Sequence, residues 1–409
     1  MTVSPESDLL LRCLRLDEDQ REIAILASFF PSAWEATLVL ARRLGVAPLL
    51  AWKLKTLPSG VDLPEGVRQE LRLCLLTSAA RNTRLFIQLG QVLPALQRAS
   101  IPTIVLKGAH LAALVYPDPA LRPMADIDLL VRPEHLSRCD QVLCELGYGP
   151  SRRPWIERDF TRVHHHLPPY GKPGASPLEI HWSIAQPTSP FQVQVEHLWQ
   201  NALPSEMAGI PALILSPEHF LLHLCIHTCY DDRFIGKLRP IADVAETLHV
   251  YASEIDWEQV TRVAFEWRVT RCAYLTLHLA ADLLGAQISA DALAALKPVD
   301  FDERIAGLAK DKIFAGVKIS AKLTQTLEQD TFINRARLIL QRLFLPPEKL
   351  AFIYSVRPDS PRIYWYYFAR LKDLIARYSR FVWQILPPRS RMKESLDREK
   401  RLVEWLSAQ

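Results

Sequence analysis

Apolar residues recur at helical spacing through the first quarter of the chain. Residues 4–6, Ser-Pro-Glu, are a typical helix start with proline at the first helical position. The apolar stripe that follows consists of Leu9, Leu10, Leu11, Cys13 and Leu14. Segments 34–54 and 67–99 repeat this spacing with polar residues on the outer face. The pattern predicts a helical N-terminal region over residues 1–98 that packs around a sheet, with acceptor binding as the alternative role.

The pattern changes between residues 99 and 215. An apolar run at 103–106 ends in Lys107-Gly108 and passes into a helical pattern, which is typical of a strand followed by a tight turn. A second apolar run follows residues 126–128, Asp-Ile-Asp, and residues 177–182 alternate apolar and polar as a half-buried strand does. Strand, helix, strand, helix and strand in succession predict a small mixed β-sheet, so we expect an α+β fold with its core at 99–215.

Helical spacing returns after the sheet. Residues 216–218, Ser-Pro-Glu, are a second strong helix start, with a capping side chain and an acid in the first turn. We therefore expect a helical region that packs on the core over residues 216–298. Residues 299–409 then form a basic, aromatic-rich helical C-terminal region.

The composition of the chain indicates a globular protein. The 409 residues are 49% hydrophobic and 23% charged, which is the balance of a globular chain with two or three subdomains. The sequence has neither a basic-then-apolar leader nor a run of about 18 apolar residues, so we expect a cytoplasmic protein with no transmembrane segment. The seven cysteines are an odd number and indicate reduced thiols instead of a disulfide framework.

The net charge of +4 is unevenly distributed. Residues 301–409 carry 21 Lys+Arg and 12 Asp+Glu, whereas residues 1–300 carry 28 and 33. The basic region also contains the aromatic run 364–368, which lies among arginines. Interleaved basic and aromatic residues can bind RNA or another anionic partner, or a membrane surface. The plainer interpretation is a helix whose aromatic residues complete the core.

Two carboxylates mark the second predicted strand. Residues i and i+2 of a strand point to the same face, so Asp126 and Asp128 lie side by side. Like charges this close repel unless a cation lies between them, and Mg²⁺ prefers carboxylate oxygens. Two such ions roughly 3.5–4 Å apart hold the attacking and leaving oxygens of a phosphoryl transfer. A third acid, Glu179, is available on the next predicted strand.

The turn at Lys107-Gly108 suits a nucleotide. Glycine permits close approach of the backbone, the start of the following helix favours phosphate, and Lys107 adds a point charge. The sequence therefore predicts a triphosphate-binding turn next to a metal-binding strand.

Three motifs together resemble one protein family. They are LKG at 106–108, RPMADIDLLV at 122–131 and LEIHW at 178–182. The combination resembles the bacterial uncharacterised nucleotidyltransferase family of the DNA polymerase beta-like superfamily, with a looser similarity over residues 9–284. This resemblance implies a Gly-containing turn, an Asp-x-Asp strand and a third acid on a neighbouring strand. The superfamily usually has Gly-Ser at the turn, whereas this chain has Gly108-Ala109 and a long loop, so Lys107 and Arg122 are the candidates for phosphate binding.

Three consecutive histidines, residues 164–166, precede the strand of Glu179. Neighbours on a strand alternate between faces, so at most two of the three share a side, and zinc binding is a minor alternative. We expect the run to pair with the strand of Glu179, with His165 and His166 lining the site to hold substrate or to shuttle a proton. His181 lies two residues from Glu179, where it orients that carboxylate or packs as an ordinary strand residue.

Further histidines follow residue 216. His223 and His227 share a helix face, whereas Cys225 and Cys229 lie about 200° round the axis, so one helix cannot close a tetrahedral zinc site. We expect a core helix that turns one or both histidines toward the cleft. Asp243 lies where the family usually has an acid, and it either braces one of these histidines or lies at the surface. Residues 231–233 are expected to form a solvated turn.

These features predict a metal-dependent nucleotidyltransferase that passes a nucleoside monophosphate from an NTP, in the first place ATP, to an acceptor with release of pyrophosphate. Asp126 and Asp128 are expected to hold two Mg²⁺ ions, with Mn²⁺ as a substitute, and Glu179 to complete the metal site and to serve as the base. The residues expected to receive the triphosphate are Lys107, Gly108 and Arg122. A small molecule, a peptide or protein, and RNA are all compatible acceptors.

Two other functions are consistent with the same fold. One is a non-catalytic protein that binds RNA or a partner, which the presence of all three acids disfavours. The other is hydrolysis of a phosphate ester, which the Lys107-Gly108 turn disfavours because this turn suits a nucleotide donor.

Overall fold

The computed structural model describes residues 4–16, 31–55, 63–150, 164–314, 365–368, 372 and 400–408. The chain divides into two compact units, of which the first comprises residues 1–152, 159–316 and 406–409 and the second residues 153–158 and 317–405. All the residues of the predicted site belong to the first unit. Most of the basic, aromatic-rich segment lies outside the described residues. Two of its aromatic side chains, Trp365 and Phe368, are exposed and do not complete a core.

Four described helices precede the sheet. They are α1 (Pro5–Leu14), α2 (Pro31–Leu44), α3 (Ala47–Lys55) and α4 (Glu65–Arg98). Helix α1 begins with Pro5 and acids in its first turn, and the predicted stripe is buried at Leu9, Leu10, Cys13 and Leu14. Helix α4 extends over 34 residues, and the leucines of its second half, Leu85, Leu89, Leu93 and Leu96, share one core with residues of the sheet. The prediction of helices in this region is confirmed for the described residues.

Among the described residues, seven strands form one mixed sheet in the order β3-β4-β5-β2-β1-β7-β6. Their bounds are β1 (Thr103–Val105), β2 (Ile127–Val131), β3 (Gly149–Pro150), β4 (Tyr170–Gly171), β5 (Leu178–His181), β6 (Leu203–Met207) and β7 (Ile210–Ile214). Strand β2 lies at the centre, antiparallel to β1 and parallel to β5, and all of its residues are buried. The predicted α+β fold with a mixed sheet is confirmed.

The register between β2 and β5 determines which polar residues meet. In this parallel pair Asp128 lies beside Glu179, and Leu130 lies beside His181. Side chains at the same level of neighbouring strands share a face of the sheet. Because a shift of one residue would turn one of the two acids to the opposite face, this register is a condition for the site.

Further helices connect the strands and form a C-terminal layer. The connections include α5 (Lys107–His110), which continues as a wide helical turn Leu111–Val115, α6 (Leu136–Glu145) and α7 (Val195–Gln200). The layer comprises α8 (Pro217–Ile226), α9 (Arg239–Val250), α10 (Trp257–Glu266), α11 (Thr270–Leu284), α12 (Ala290–Leu296) and α13 (Glu303–Phe314). None of the helices in the described part of the chain has the length and apolar character needed to cross a membrane.

His110, the last residue of α5, is fully buried. Its ring stacks on Phe220 with the ring centroids 3.7 Å apart, and its Nε2 lies 3.0 Å from the hydroxyl of Tyr251. Burial lowers the pKa of His110 to about 3, because the charged ring would lose its hydration. The imidazole is therefore neutral in the folded protein at neutral pH.

We expect acid to destabilise the fold through His110. Below its unfolded pKa of about 6.5, the unfolded chain binds a proton that the folded chain does not bind. Stability contributed by the neutral ring is therefore fully present above pH ~6.5 and falls by up to about 1.4 kcal/mol per pH unit toward the folded pKa. Chemical denaturation at roughly pH 7 and pH 5 measures this loss. His110→Phe, which can keep the stack on Phe220, should lose about 2 kcal/mol less than wild type over this interval. An equal loss in the two proteins would contradict the expectation.

Candidate active site

Asp128 is a buried acid with a cation on one side and a histidine on the other. Its Oδ1 lies 3.2 Å from Nε2 of His181, and its Oδ2 lies 3.6 Å from Nζ of Lys107. Burial alone would raise the pKa of Asp128, but the charge of Lys107 and the hydrogen bond from His181 outweigh it and hold this pKa below its usual range. The structure therefore keeps Asp128 ionised inside the protein.

Lys107 lies among four carboxylates. It is the first residue of α5, and only the extended residue Leu106 separates it from β1. Burial disfavours its ammonium group, but the acids around it outweigh burial and raise the pKa of Lys107 above the ordinary value. In decreasing order of effect, these acids are Asp128, Asp126, Asp231 and Glu179. Lys107 is consequently a fixed positive charge at neutral pH.

Asp126 precedes β2 by one residue and is partly buried. Burial and the nearby charge of Asp128 raise the pKa of Asp126, and Lys107 opposes this shift. The two acids therefore repel each other, as their i, i+2 spacing predicts. Such repulsion is the condition in which a bound cation stabilises both carboxylates.

Glu179 on β5 and Asp128 on β2 both contact the same histidine, His181. The Nε2 atom of His181 lies 3.6 Å from Oε2 of Glu179, in addition to its contact with Asp128. Burial disfavours a charged ring, but these two carboxylates outweigh it and raise the pKa of His181. Ionised carboxylates only accept hydrogen bonds, so the imidazole N–H donates. His181 thus contacts both acids from a buried position.

Side chains that can hold a metal ion converge at this point. One ligand atom from each of Asp128, Glu179 and His181 lies within 4.8 Å of the other two. In the described ranges, no other set of three or more His, Cys, Asp or Glu side chains comes as close together. Two of the three groups are carboxylates, which are the ligands preferred by hard divalent cations. Glu179 is therefore within reach of an ion shared with Asp128, whereas Asp126, the other expected ligand, is not part of this group.

Residues 31–285 match the model of a family described as uncharacterised nucleotidyltransferase. The chain belongs to this family. The matched span contains all the site residues described above and ends before the basic C-terminal region. Membership confirms the resemblance seen in the sequence and supports nucleotidyl transfer in general.

One solved structure is also similar to part of the chain. The solution structure of the antibiotic-resistance factor ANT(2'')-Ia covers 48% of this chain and 97% of its own, at 16% sequence identity and a TM-score of 0.32. No curated protein matches the chain in sequence.

Arg122, expected to receive a triphosphate, is buried and paired in this nucleotidyltransferase. Its Nε and Nη2 donate to the two carboxylate oxygens of Asp243 at 3.3 and 3.1 Å, and the hydroxyl of Tyr116 donates to the same carboxylate at 2.9 Å. Asp243 is 3% exposed. The expectation that Asp243 braces a histidine or lies at the surface is therefore wrong, because this carboxylate instead neutralises Arg122.

Gly108 makes room for the same guanidinium group. A Cβ atom at Gly108 would lie 3.2 Å from Nη1 of Arg122, which is tighter than ordinary packing. Since Nε and Nη2 of Arg122 are occupied by Asp243, Nη1 is the nitrogen that faces the Lys107-Gly108 turn. Close packing of Arg122 is a reason for this glycine that the sequence did not reveal.

Asn82 is a site residue that the sequence analysis missed. Its Nδ2 donates to the carbonyls of Pro119 and Arg122 at 2.5 and 2.9 Å, and its Oδ1 accepts from the N–H of Met124 at 3.1 Å. The side chain is 1% exposed, so these contacts are made in the interior. Asn82 fixes the loop that leads from the Lys107 turn to Asp126. On a long helix with many polar residues, no sequence signal separates this asparagine from the others.

The histidine run pairs with the strand of Glu179, as predicted. His166 forms an antiparallel bridge with His181, and the N–H of Trp182 donates to the carbonyl of His165 at 3.0 Å. The side chain of His165 is buried against His181, and burial lowers the pKa of His165 to about 2. Nδ1 of His166 lies 2.8 Å from the carbonyl oxygen of Leu167, its hydrogen-bond partner, and 3.9 Å from Oε2 of Glu179. His166 is therefore near the acid without a hydrogen bond to it.

The histidines of α8 and the turn after it lie near Lys107. Burial, followed by the charge of Lys107, lowers the pKa of both His223 and His227 well below the usual value. Both rings are therefore neutral and within electrostatic range of Lys107. The thiols of Cys225 and Cys229 lie beside a cysteine of α11 instead, and burial raises the pKa of both.

Asp231 departs from the predicted solvated turn. It ends a wide helical turn, His227–Asp231, that continues α8, and its Oδ1 accepts from Nε2 of Gln186 at 3.1 Å. Burial raises the pKa of Asp231 to about 6, with Lys107 opposing. The prediction fails for this residue because Gln186, from the loop after β5, and the charge of Lys107 act on it in the folded chain, which no local pattern shows. Asp231 is thus a fourth carboxylate at the site.

Proposed function

We propose that this chain is a metal-dependent nucleotidyltransferase that transfers a nucleoside monophosphate from an NTP to an acceptor and releases pyrophosphate. The observation that supports this proposal most strongly is the convergence of Asp128 and Glu179 on neighbouring strands, with Lys107 beside them. Phosphoryl transfer depends on positioning and on electrostatic stabilisation, so fixed acids and a fixed cation are the groups it needs.

Asp126, Asp128 and Glu179 would hold Mg²⁺, or Mn²⁺ in its place. The donor set fits these ions because they take carboxylate oxygens, and Asp128 of β2 and Glu179 of β5 present theirs within one ion's reach. Asp126 lies outside this close cluster and would join it from its position two residues before Asp128. When bound, two such ions neutralise the phosphate oxygens and stabilise the attacking and leaving oxygens of the displacement. Asp128 is ready for this role because Lys107 and His181 keep it ionised.

Lys107 binds the triphosphate in this proposal. Its ammonium group stays charged because the surrounding acids raise its pKa. A fixed cation at this point counters the negative charge that develops on the leaving pyrophosphate. Arg122 acts beside it by holding the Lys107-Gly108 turn, with Nη1 directed at the turn and Asp243 fixing the rest of the guanidinium.

His181 positions the two acids that come from different strands. Its Nε2 donates between Asp128 and Glu179, and its ring is held almost fully out of solvent. A carboxylate fixed in this way loses little rotational freedom when it binds a cation, so the site is organised before substrate arrives.

Nucleotidyl transfer is expected when the full chain is incubated with Mg²⁺ and each α-³²P-labelled NTP in turn. The acceptors to test are bulk tRNA, a small-molecule extract and the chain itself. Label should move from ATP or another NTP to one acceptor class with release of an equal amount of pyrophosphate, because Pα is the atom attacked. EDTA should abolish the transfer, and Mg²⁺ or Mn²⁺ should restore it.

ATP labelled at the γ-phosphate is the matched control, since its label should leave in pyrophosphate. Transfer that EDTA does not affect would contradict metal dependence. Salt-dependent RNA binding without transfer from any of the four NTPs would indicate a binding protein on this fold.

A further inference from the structure

We propose that Asp231 is the proton acceptor for the incoming nucleophile, and that this nucleophile is a hydroxyl group. The inference rests on the proposed nucleotidyl transfer and deepens it, because it assigns the base to a residue outside the three sheet acids. Three observations support it: the backbone around Asp231, the contacts of its carboxylate and the charges that face it.

The backbone around Asp231 is held in an uncommon conformation. The N–H of Asp232 donates to the carbonyl of His227 at 2.8 Å, which closes a turn wider than that of an α-helix. Arg233 and Phe234 then both adopt the left-handed region, with φ of 49° and 57°. Wide helical turns and left-handed non-glycine residues are enriched at functional sites, where surrounding structure maintains them. Here the turn places the Asp231 carboxylate within electrostatic range of Lys107.

One oxygen of the Asp231 carboxylate is held by a hydrogen bond, and the other is available to accept a proton. Nε2 of Gln186 donates to Oδ1 at 3.1 Å, and Gln186 lies in the loop that follows the Glu179 strand. Within the described ranges, Oδ2 has no hydrogen-bond partner or ion pair. A carboxylate held through one oxygen can receive a proton on the other without moving.

The charges that face Asp231 suit its role as a proton acceptor. The groups that act on it are Lys107 from α5, His181 from β5, Gln186 from the loop and the neighbouring Asp232. Burial outweighs the cations and raises the pKa of Asp231 to about 6, so the group is ionised at neutral pH but binds a proton more readily than an ordinary carboxylate. Glu179 is engaged with His181 and, in the proposed function, with a metal ion, which leaves Asp231 as the stronger base.

The acceptor oxygen uses a lone pair to form a bond to Pα of the NTP while its proton passes to Oδ2 of Asp231. The bond from Pα to the oxygen that bridges to Pβ breaks, and its electron pair leaves on pyrophosphate beside Lys107. A hydroxyl fits this scheme because it carries one proton that must be removed as the new bond forms.

The test uses ATP with two small hydroxyl acceptors, water and glycerol. The products are AMP from water and an AMP ester from glycerol, each with pyrophosphate. Asp231→Asn should lower both rates about 100-fold at saturating ATP. Its affinity for α,β-methylene-ATP, an analogue that cannot react, should remain within about twofold of wild type, since the nucleotide contacts are intact. Glu134→Gln, at an exposed acid outside the site, is the control and should change neither value beyond about twofold.

The pH profile separates a base from a structural residue. The wild-type rate should rise with pH through an apparent pKa of about 6. This rise is the acid limb of the pH–rate profile, and Asp231→Asn should lack it. Gln186→Ala, which removes a hydrogen bond to the ionised form, should shift the limb to higher pH. This second variant keeps the carboxylate and tests the assignment even if Asp231→Asn does not fold.

An Asp231→Asn protein with the wild-type rate and acid limb would overturn the assignment of the base. An unshifted limb in Gln186→Ala would also overturn it. A wild type that binds ATP but forms neither product would overturn it too, since a placed base should activate a small hydroxyl. Failure of the proposed function is distinct: wild type would then bind no nucleotide, or Asp128→Asn would retain the wild-type rate.

Discussion

Asp128→Asn should abolish nucleotidyl transfer while the fold is retained. The amide has the same shape but no negative charge, so it cannot hold a divalent cation at this point or balance Lys107 at 3.6 Å. We expect the rate of label transfer to fall at least about 1,000-fold, which corresponds to roughly 4 kcal/mol of lost transition-state stabilisation. Initial rates with saturating ATP and Mg²⁺ measure this loss.

The fold should survive this change because Lys107 keeps three other carboxylates nearby. Circular dichroism before and after thermal unfolding checks that the variant is native. Glu134→Gln is the matched control, since Glu134 is exposed in the turn that follows β2 and should leave the rate unchanged. Wild-type transfer by Asp128→Asn would refute the role proposed for this acid.

Asp243→Ala should destabilise the protein by about 3–5 kcal/mol. It removes the partner of a buried guanidinium, whose Nε and Nη2 both donate to this carboxylate, and it also leaves the hydroxyl of Tyr116 without its acceptor. An uncompensated charge in the interior is costly because it has lost its hydration. Urea denaturation at pH ~7 measures the change in the free energy of unfolding.

An exposed ion pair provides the control for this experiment. Arg42 and Glu70 are 2.9 Å apart with side chains 56% and 45% exposed, so Glu70→Ala should cost no more than about 1 kcal/mol. The double change Arg122→Met with Asp243→Leu should recover much of the stability, since apolar side chains of similar volume can replace a buried pair. It should not recover nucleotide binding if Arg122 holds the Lys107-Gly108 turn. A loss below about 1 kcal/mol in Asp243→Ala would contradict the importance of the pair.

Local patterns were sufficient to predict the central strands of the sheet. The apolar run after Asp128 and the alternation around Glu179 each predicted a strand, and both strands are present as β2 and β5. Strand propensity and alternation are properties of a few consecutive residues, so a linear sequence contains them. The resemblance carried by LKG, RPMADIDLLV and LEIHW was also sufficient to identify the family.

Other expectations failed where the decisive partner was remote in sequence. Asp243 was expected at the surface or beside a histidine, and it instead neutralises Arg122 in the interior. Asp231 was expected in a solvated turn, and it lies in the electrostatic range of Lys107. Asn82 showed no signal, yet it fixes the loop before Asp126 with three hydrogen bonds.

The sequence by itself determined the central strands β1, β2 and β5, the helical character of the regions around them, the family and the identity of the sheet acids, because each depends on short-range periodicity or on a contiguous motif. Only the tertiary structure decided which groups meet: the parallel register that sets Asp128 beside Glu179, the guanidinium that requires Gly108, and the turn that places Asp231 within electrostatic range of Lys107. The physical reason is that burial and charge pairing are properties of packed elements. They come into existence only when distant segments exclude water from one another.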